Sequence, residues 1–234
     1  MRRPFNAIMK WRDATRFDPA ELQKIPFDSG QIINAESLDI SKRVVAGMFA
    51  ETFGYPLEVN PLEFHGEIVE KSDENATHDG RVIQGPLALE NIRADRVYQK
   101  TIHSISDGLA LDYRLPVMGG QIPLVYLKYR PVENRFSNTN LSVKLAEPAA
   151  VFSPAELKRI IAFAQAMHLD FGELDVLRDT DDRIYVVDVS NTPSGPPNGL
   201  PAGESKSAIT LLAAAFLKFL RQWHIKPPAF RRSF

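Results

Sequence analysis

The sequence predicts an α+β fold. Three observations carry that reading: a run of short strand-like segments from residue 95 to 147, capped helical patterns on either side of it, and an acidic β-hairpin at 171–190. Residues 1–36 show little periodicity, broken by Pro4, Pro19, Pro26 and Gly30, and are expected to form an arm with one short helix near Pro19–Lys24. Over 39–54, Ile40, Val44, Val45, Met48, Phe49 and Phe53 fall on one stripe, Asp39 is placed to cap and Gly54 to stop, so a helix is expected. Strands are expected at 57–60, 66–72 and 80–84, with the polar stretch 72–79 as a loop. Further strands are expected at 96–102, 110–117, 122–129 and 140–145, with Gly119-Gly120 as a hairpin turn. Ser153-Pro154-Ala155-Glu156 opens a helix with serine at the N-cap, proline at N1 and glutamate at N3. A Pro/Gly-rich loop over 192–203 precedes a last helix at 205–223.

Composition narrows function. Lys plus Arg is 28 and Asp plus Glu is 29, a net charge of −1, which argues against a nucleic-acid partner. There is no cysteine, so disulfides, thiolate nucleophiles and Cys-type zinc sites are excluded. No apolar run reaches the ~18–20 residues of a membrane span. The basic start MRRPFNAIMKWRD has no apolar core, so no secretory signal and no membrane partner are expected, and the location expected is cytoplasmic. The two N-x-[ST] sites, at Asn75 and Asn140, are then chance. The five histidines show no metal-ligand spacing, and Gly195 and Gly199 are followed by no G-K-[ST], so neither a histidine metal site nor a P-loop is expected.

The segment FGELDVLRDTDDRIYVVDVSNTP carries the chemistry. With the turn at Asp181-Asp182, Asp175 faces Asp188 and Glu173 faces Ser190 on one face of the ribbon, while Leu174 faces Val189 and Val176 faces Val187 on the other. Two carboxylates at ~5 Å repel by about 3 kcal/mol at an effective dielectric of ~20. Such a pair persists if Lys or Arg neutralises it, if one acid is protonated, or if a cation such as Mg²⁺ binds.

This hairpin resembles the terminal metal-binding motif of the ATP-grasp superfamily, in which an Asp, two strands and Glu-x-Asn precede a Pro/Gly loop. Asp175 stands at the first acid, Asp188 at the second, Ser190 at the Asn position with Asn191 beside it, and TPSGPP at the loop. Ile68–Ser72 resembles the strand whose lysine, here Lys71, reaches the nucleotide phosphates, and 72–80 the loop that folds over them. Residues 97–102 resemble the hinge that receives adenine, with Gln99, Lys100 and Ile102. Residues 111–117 resemble the next strand, where Asp112 would bond ribose, and Lys42 matches the other nucleotide lysine.

The resemblance implies two α+β lobes with a nucleotide cleft between them. Residues 1–36 would be an arm, 37–102 the small lobe and 103–234 the large lobe with the metal-binding hairpin. It implies ATP and Mg²⁺ as cofactors, bound by Lys42, Lys71, Gln99, Lys100, Ile102 and Asp112 and by Asp175, Asp188, Ser190 and Asn191. It also implies a ligase that activates a carboxylate as an acyl phosphate for attack by an amine or thiol, with a nucleotide and a small molecule as partners. Arg114 and Arg130 are the expected catalytic arginines, with the basic cluster Lys128-Tyr129-Arg130 and Arg135 as phosphate binders. Three residues depart from the pattern: Asp188 replaces Glu, Ser190 replaces Asn, and Glu173 stands where many of these ligases carry an arginine. The alternatives are a nucleotide-binding protein of this fold with altered catalysis, an ATP-dependent phosphotransferase, or a plain domain with a solvated acidic hairpin. The length is too short for the separate N-terminal substrate domain of many relatives. A homodimer is a prior from size alone.

Overall fold

A computed structural model describes residues 7–27 and 29–223. Pro4 and His224 lie outside the described residues. Strands β1 (Ile8–Met9) and β2 (Ile32–Ile33) form a short parallel pair, and a 3-10 turn covers Pro19–Lys24 as expected. Helix α1 (Lys42–Phe53) follows, then an antiparallel three-stranded sheet of β3 (Glu67–Ser72), β4 (Arg81–Gln84) and β5 (Arg96–Lys100) in the order β4-β3-β5.

The larger sheet contains β6 (Ile105–Ser106), β7 (Leu109–Met118), β8 (Val125–Pro131), β9 (Ser142–Ala146), β10 (Phe171–Arg178) and β11 (Ile184–Ser190). Its order is β11-β10-β7-β8-β9, with β6 pairing the end of β7. Helices α2 (Pro148–Val151) and α3 (Pro154–Ala166) precede β10, and α4 (Ala202–Trp223) follows β11. The capping box on α3 is present in full: Ser153 Oγ accepts from the Glu156 N–H, and the Glu156 carboxylate accepts from the Ser153 N–H at 2.8 Å.

One face of the large sheet is dry. Leu115, Val117, Val125, Leu174, Val176, Val186 and Val189 pack there against Val45, Phe49 and Phe53 of α1 and Ile160, Phe163 and Ala164 of α3. Helix α1 therefore shares the core of the large sheet, although the sequence groups it with the three-stranded one. Phe49, Phe53, Tyr55 and Tyr185 form its aromatic edge.

Four expectations need correction. Ser41, not Asp39, is the N-cap of α1, and its side chain makes no capping bond. The first N–H groups, of Lys42 and Arg43, instead donate to the carbonyl and carboxylate of Asp73, so a distant loop satisfies the helix start. Val44 is exposed, because the buried row runs through Val45, Phe49 and Phe53 and leaves position 44 at its margin. The segment 57–60 is no full strand. It bridges β5 only through Glu58 and Gln99 and two flanking hydrogen bonds, since Pro56 and Pro61 bound it. Fourth, the hairpin pairing slips between Asp175 and Val176, so Val176 faces Val186 rather than Val187.

The Gly119-Gly120 turn carries positive φ at both residues, +57° and +75°. A Cβ on Gly119 would stand 2.4 Å from Cδ2 of Phe219 on α4, whereas one on Gly54, at φ +80°, would meet nothing within 4 Å. Gly119→Ala is therefore expected to destabilise by about 2–4 kcal/mol in urea unfolding, and Gly54→Ala by only about 1 kcal/mol. Equal losses would contradict the close packing of α4 on this turn.

Candidate functional site

The second face of the large sheet is divided along the strands. Near α4 it is apolar: Met118, Phe171 and Tyr126 lie under Phe216, Phe219, Leu212 and Ala208. Further along the strands, on the same face, come Arg114 and Asp112 on β7, Glu173 and Asp175 on β10, and Lys128 and Arg130 on β8. The register aligns them, with Asp175 beside Arg114 and Asp112 beside Lys128. Opposite this charged half stand Val69 and Lys71 of β3 and Gln99 of β5, and together they enclose a cleft of about 190 Å³.

At the hairpin, Asp175 and Asp188 are directly paired, as are Glu173 and Ser190. The slip is a β-bulge whose extra residue is Val187. It places Val187 beside Asp188 on the cleft wall and leaves the Val187 carbonyl 3.4 Å from Lys71 Nζ. The acid pair is neutralised by bases. Arg114 forks onto Asp175 with two bonds of 2.9 Å, Lys128 adds contacts of 3.3 and 3.4 Å, and Lys42 bonds Asp188 at 2.5 Å. Of the three ways such a pair persists, this structure shows the first.

The titrations follow from these contacts. Burial alone would raise the Asp175 carboxyl, but Arg114 and Lys128 outweigh it and hold it far below the usual carboxylate range. Burial, helped by Lys42, lowers Lys71 to about 8. Burial pushes Glu173 up to about 7, against the pull of Arg114, whose Nη1 stands 3.8 Å away.

The other end of the cleft is quieter. Gln99 is buried and its Nε2 has no partner. Ile102 is buried, and its carbonyl accepts from Arg135. Asp112 pairs with Arg130, whose Nε is buried without a partner. Loop 72–80 closes one side. Asp79 accepts from the Ser72 N–H at 3.0 Å and pairs with Arg96, His78 meets Asn138 at 2.9 Å, and Asn75 accepts from Lys42 Nζ at 3.1 Å.

The structure thus gathers Lys42, Lys71, Gln99, Ile102, Asp112, Arg114, Arg130, Asp175 and Asp188 around one cleft. Lys100 also lines it, but its ammonium is committed to the Tyr185 hydroxyl at 2.5 Å and lies 3.6 Å from Asp179. Ser190 and Asn191 are outside the lining. The Ser190 hydroxyl accepts from the Thr192 N–H at 3.4 Å, and buried Asn191 leaves its Oδ1 without a partner. Lys128, expected only as a phosphate binder, is the second cation on Asp175. Its two-residue offset from Arg130 on one strand was the available signal.

The donors suit a hard divalent cation with a polyphosphate. Two aspartates offer oxygens at the cleft floor, lysines and arginines ring it, and the unpartnered Gln99 amide waits at the far wall. Among the described residues no group of three His, Cys, Asp or Glu could hold a metal alone, so phosphate or water oxygens would have to complete the shell.

No protein-family model matches the sequence, and no curated protein matches it. Solved structures do match in fold. The ATP-grasp ligase PsnB with a minimal precursor, Mg and ADP aligns at TM-score 0.55 and 15% identity, over 79% of this chain and 62% of that one. PsnB with a phosphomimetic precursor variant, Mg and ADP aligns at TM-score 0.53 and 12% identity, over 82% and 62%. The D-alanine–D-alanine ligase from Bacillus anthracis with ATP aligns at TM-score 0.51 and 13% identity, over 80% and 66%. The chain spans less than two thirds of the length of each.

The raised Glu173 carboxyl has a consequence for stability. Unfolded, it titrates near 4.5; folded, near 7. Between these values the folded chain keeps a proton that the unfolded chain has released, so stability falls as pH rises through this window. Asp175 has the opposite sign, and its contribution is lost only below the ordinary aspartate range. Glu173→Gln should therefore gain about 1–3 kcal/mol over wild type at pH 8 relative to pH 4.5, by denaturant unfolding at each pH. An equal difference at both would contradict the burial argument.

Proposed function

We propose that this chain, which has the ATP-grasp fold, binds ATP with Mg²⁺ in the cleft between its two sheets. It uses the nucleotide to join a carboxylate to an amine or thiol. The observation that carries the reading is the convergence of Lys42, Lys71, Lys128, Arg114, Arg130 and Arg135 on one cleft whose floor holds the paired Asp175 and Asp188. A polyanion is the ligand such a ring of cations stabilises, and paired aspartates give its metal a seat.

In this reading residues 37–102 and 103–234 are the two lobes, preceded by the arm 1–36. Gln99 and Ile102 hold the adenine, with Lys100 at that edge, and Asp112 holds the ribose. Lys42 and Lys71 hold phosphate oxygens as point charges, and loop 72–80 covers them. Asp175 and Asp188 hold the cation, with Ser190 and Asn191 behind them. The cation, when bound, neutralises phosphate charge as the γ-phosphoryl leaves ADP. A substrate carboxylate oxygen attacks the γ-phosphorus and ADP departs. The nucleophile then attacks the acyl carbon, inorganic phosphate leaves, and the nucleophile loses its proton. Arg114 and Arg130 stabilise the charge that develops on the transferring group and on the acyl oxygen. The second reading, a nucleotide-binding protein with altered catalysis, draws on the lack of a three-acid cluster among the described residues.

Calorimetry tests binding. ATP should bind wild type, and Mg²⁺ should tighten it. Asp188→Ala should lose most of the Mg²⁺ gain, and Lys71→Ala should weaken ATP by about 10–100-fold, the worth of a charged hydrogen bond. Hydroxylamine should trap a hydroxamate when the right acid is present with Mg·ATP. Absence of ATP binding to wild type would remove the reading. Binding without hydroxamate across a broad acid panel would favour the second one.

A further inference from the structure

Arg114 stands between two carboxylates. Its Nε and Nη2 fork onto Asp175 at 2.9 Å each, and its Nη1 lies 3.8 Å from Glu173 Oε2. The division of cations is uneven. Asp175 has Arg114 and Lys128, whereas Glu173, 5% exposed, has no cation at hydrogen-bond distance among the described residues. The sheet offers Glu173 little else, because its register partners are Pro116 on β7 and Ser190 on β11. Tyr126, the register partner of Arg114 on β8, keeps its hydroxyl buried without a partner, a second sign that this end of the cluster is not fully bonded.

We infer that Glu173 is a positioning residue, the alternate anion to which Arg114 transfers when the oxygens of Asp175 are given to the divalent cation of the nucleotide site. The inference rests on the Mg·ATP reading of the cleft. Its physical basis is competition. Both oxygens of Asp175 are occupied by the guanidinium fork, so a cation cannot take them while Arg114 stays. A divalent cation and a guanidinium at ~4 Å repel by about 8 kcal/mol at an effective dielectric of ~20. Arg114, the register partner of Asp175 on β7, already has its Nη1 3.8 Å from Glu173 Oε2. Closing 3.8 Å to a charged hydrogen bond of roughly 2.8 Å requires only a rotation of the guanidinium. The exchange brings the buried Glu173 carboxyl, 3.8 Å from Nη1 in this structure, into a bonded pair with the guanidinium. It also leaves Arg114 fixed at the end of the cleft where the acyl group would react.

The test compares nucleotide affinity with and without Mg²⁺, using calorimetry with ATP on the full chain. For wild type, Mg²⁺ tightens ATP binding by some factor. In Glu173→Gln, which conserves shape, that factor should shrink by about tenfold or more, because Arg114 keeps competing for Asp175. The Mg²⁺-free affinity should stay within about twofold, less than 0.5 kcal/mol. Glu173→Asp keeps the charge and should retain more of the Mg²⁺ factor than Gln does. An unchanged factor in Glu173→Gln overturns the inference. So does an equal loss with and without Mg²⁺, which marks a merely structural role, and so does Asp behaving like Gln. Wild type that binds no ATP at all overturns the nucleotide reading, and this inference with it. Wild type that binds ATP with a clear Mg²⁺ factor isolates the fate of Glu173 from that reading.

Discussion

Two ionised carboxylates directly opposed on a β-ribbon repel, and the arrangement of cations around Asp175 and Asp188 answers that constraint. Arg114 comes from β7, Lys128 from β8 and Lys42 from the first turn of α1, so three separate elements converge to neutralise one hairpin. The ordering cost of Lys42 is met by its helix start, where Asp73 takes the first N–H groups and ties α1 to the strand-and-loop segment carrying Lys71. Fold and site are coupled here. Removing the hairpin acids would leave buried cations uncompensated, and removing the cations would leave the acids repelling.

The large sheet serves both needs by dividing its surfaces. Odd positions of β7 and β8 face the dry core with α1 and α3, and even positions face the other way. On that second face the apolar members are covered by α4 and the charged members are left to the cleft. The β-bulge at Val187 belongs to this division. It shifts the turn side of the hairpin by one residue, so Asp175 and Asp188 stay paired on the cleft side while Val176 and Val186 remain in the core.

Much of this was legible in the residues. Alternation in FGELDVLRD and RIYVVDVS, with an aspartate-rich turn, is enough to pair Asp175 with Asp188. Ser-Pro-Ala-Glu is enough to start α3. The bulge was not legible, because an extra residue in a strand leaves no mark when it is valine among valines. Nor was the true cap of α1 legible, since Asp73 reaches it from 30 residues away through tertiary contact. Lys128 illustrates a middle case. Its parity on the strand was readable, but its choice between phosphate and Asp175 depends on cross-strand register, which hydrophobic pattern alone does not set. Resemblance in the order of short motifs anticipated the fold that the solved structures share, at identities of 12–15%.

The direct measurement of the central claim is anomalous diffraction from crystals grown with Mn²⁺, as a Mg²⁺ surrogate, and a non-hydrolysable ATP analogue. The account predicts a manganese peak bonded to oxygens of both Asp175 and Asp188 and to the phosphates, with the adenine against Gln99. A nucleotide bound elsewhere, or an aspartate pair still held by Arg114 and Lys128 with the metal on other residues, would contradict it.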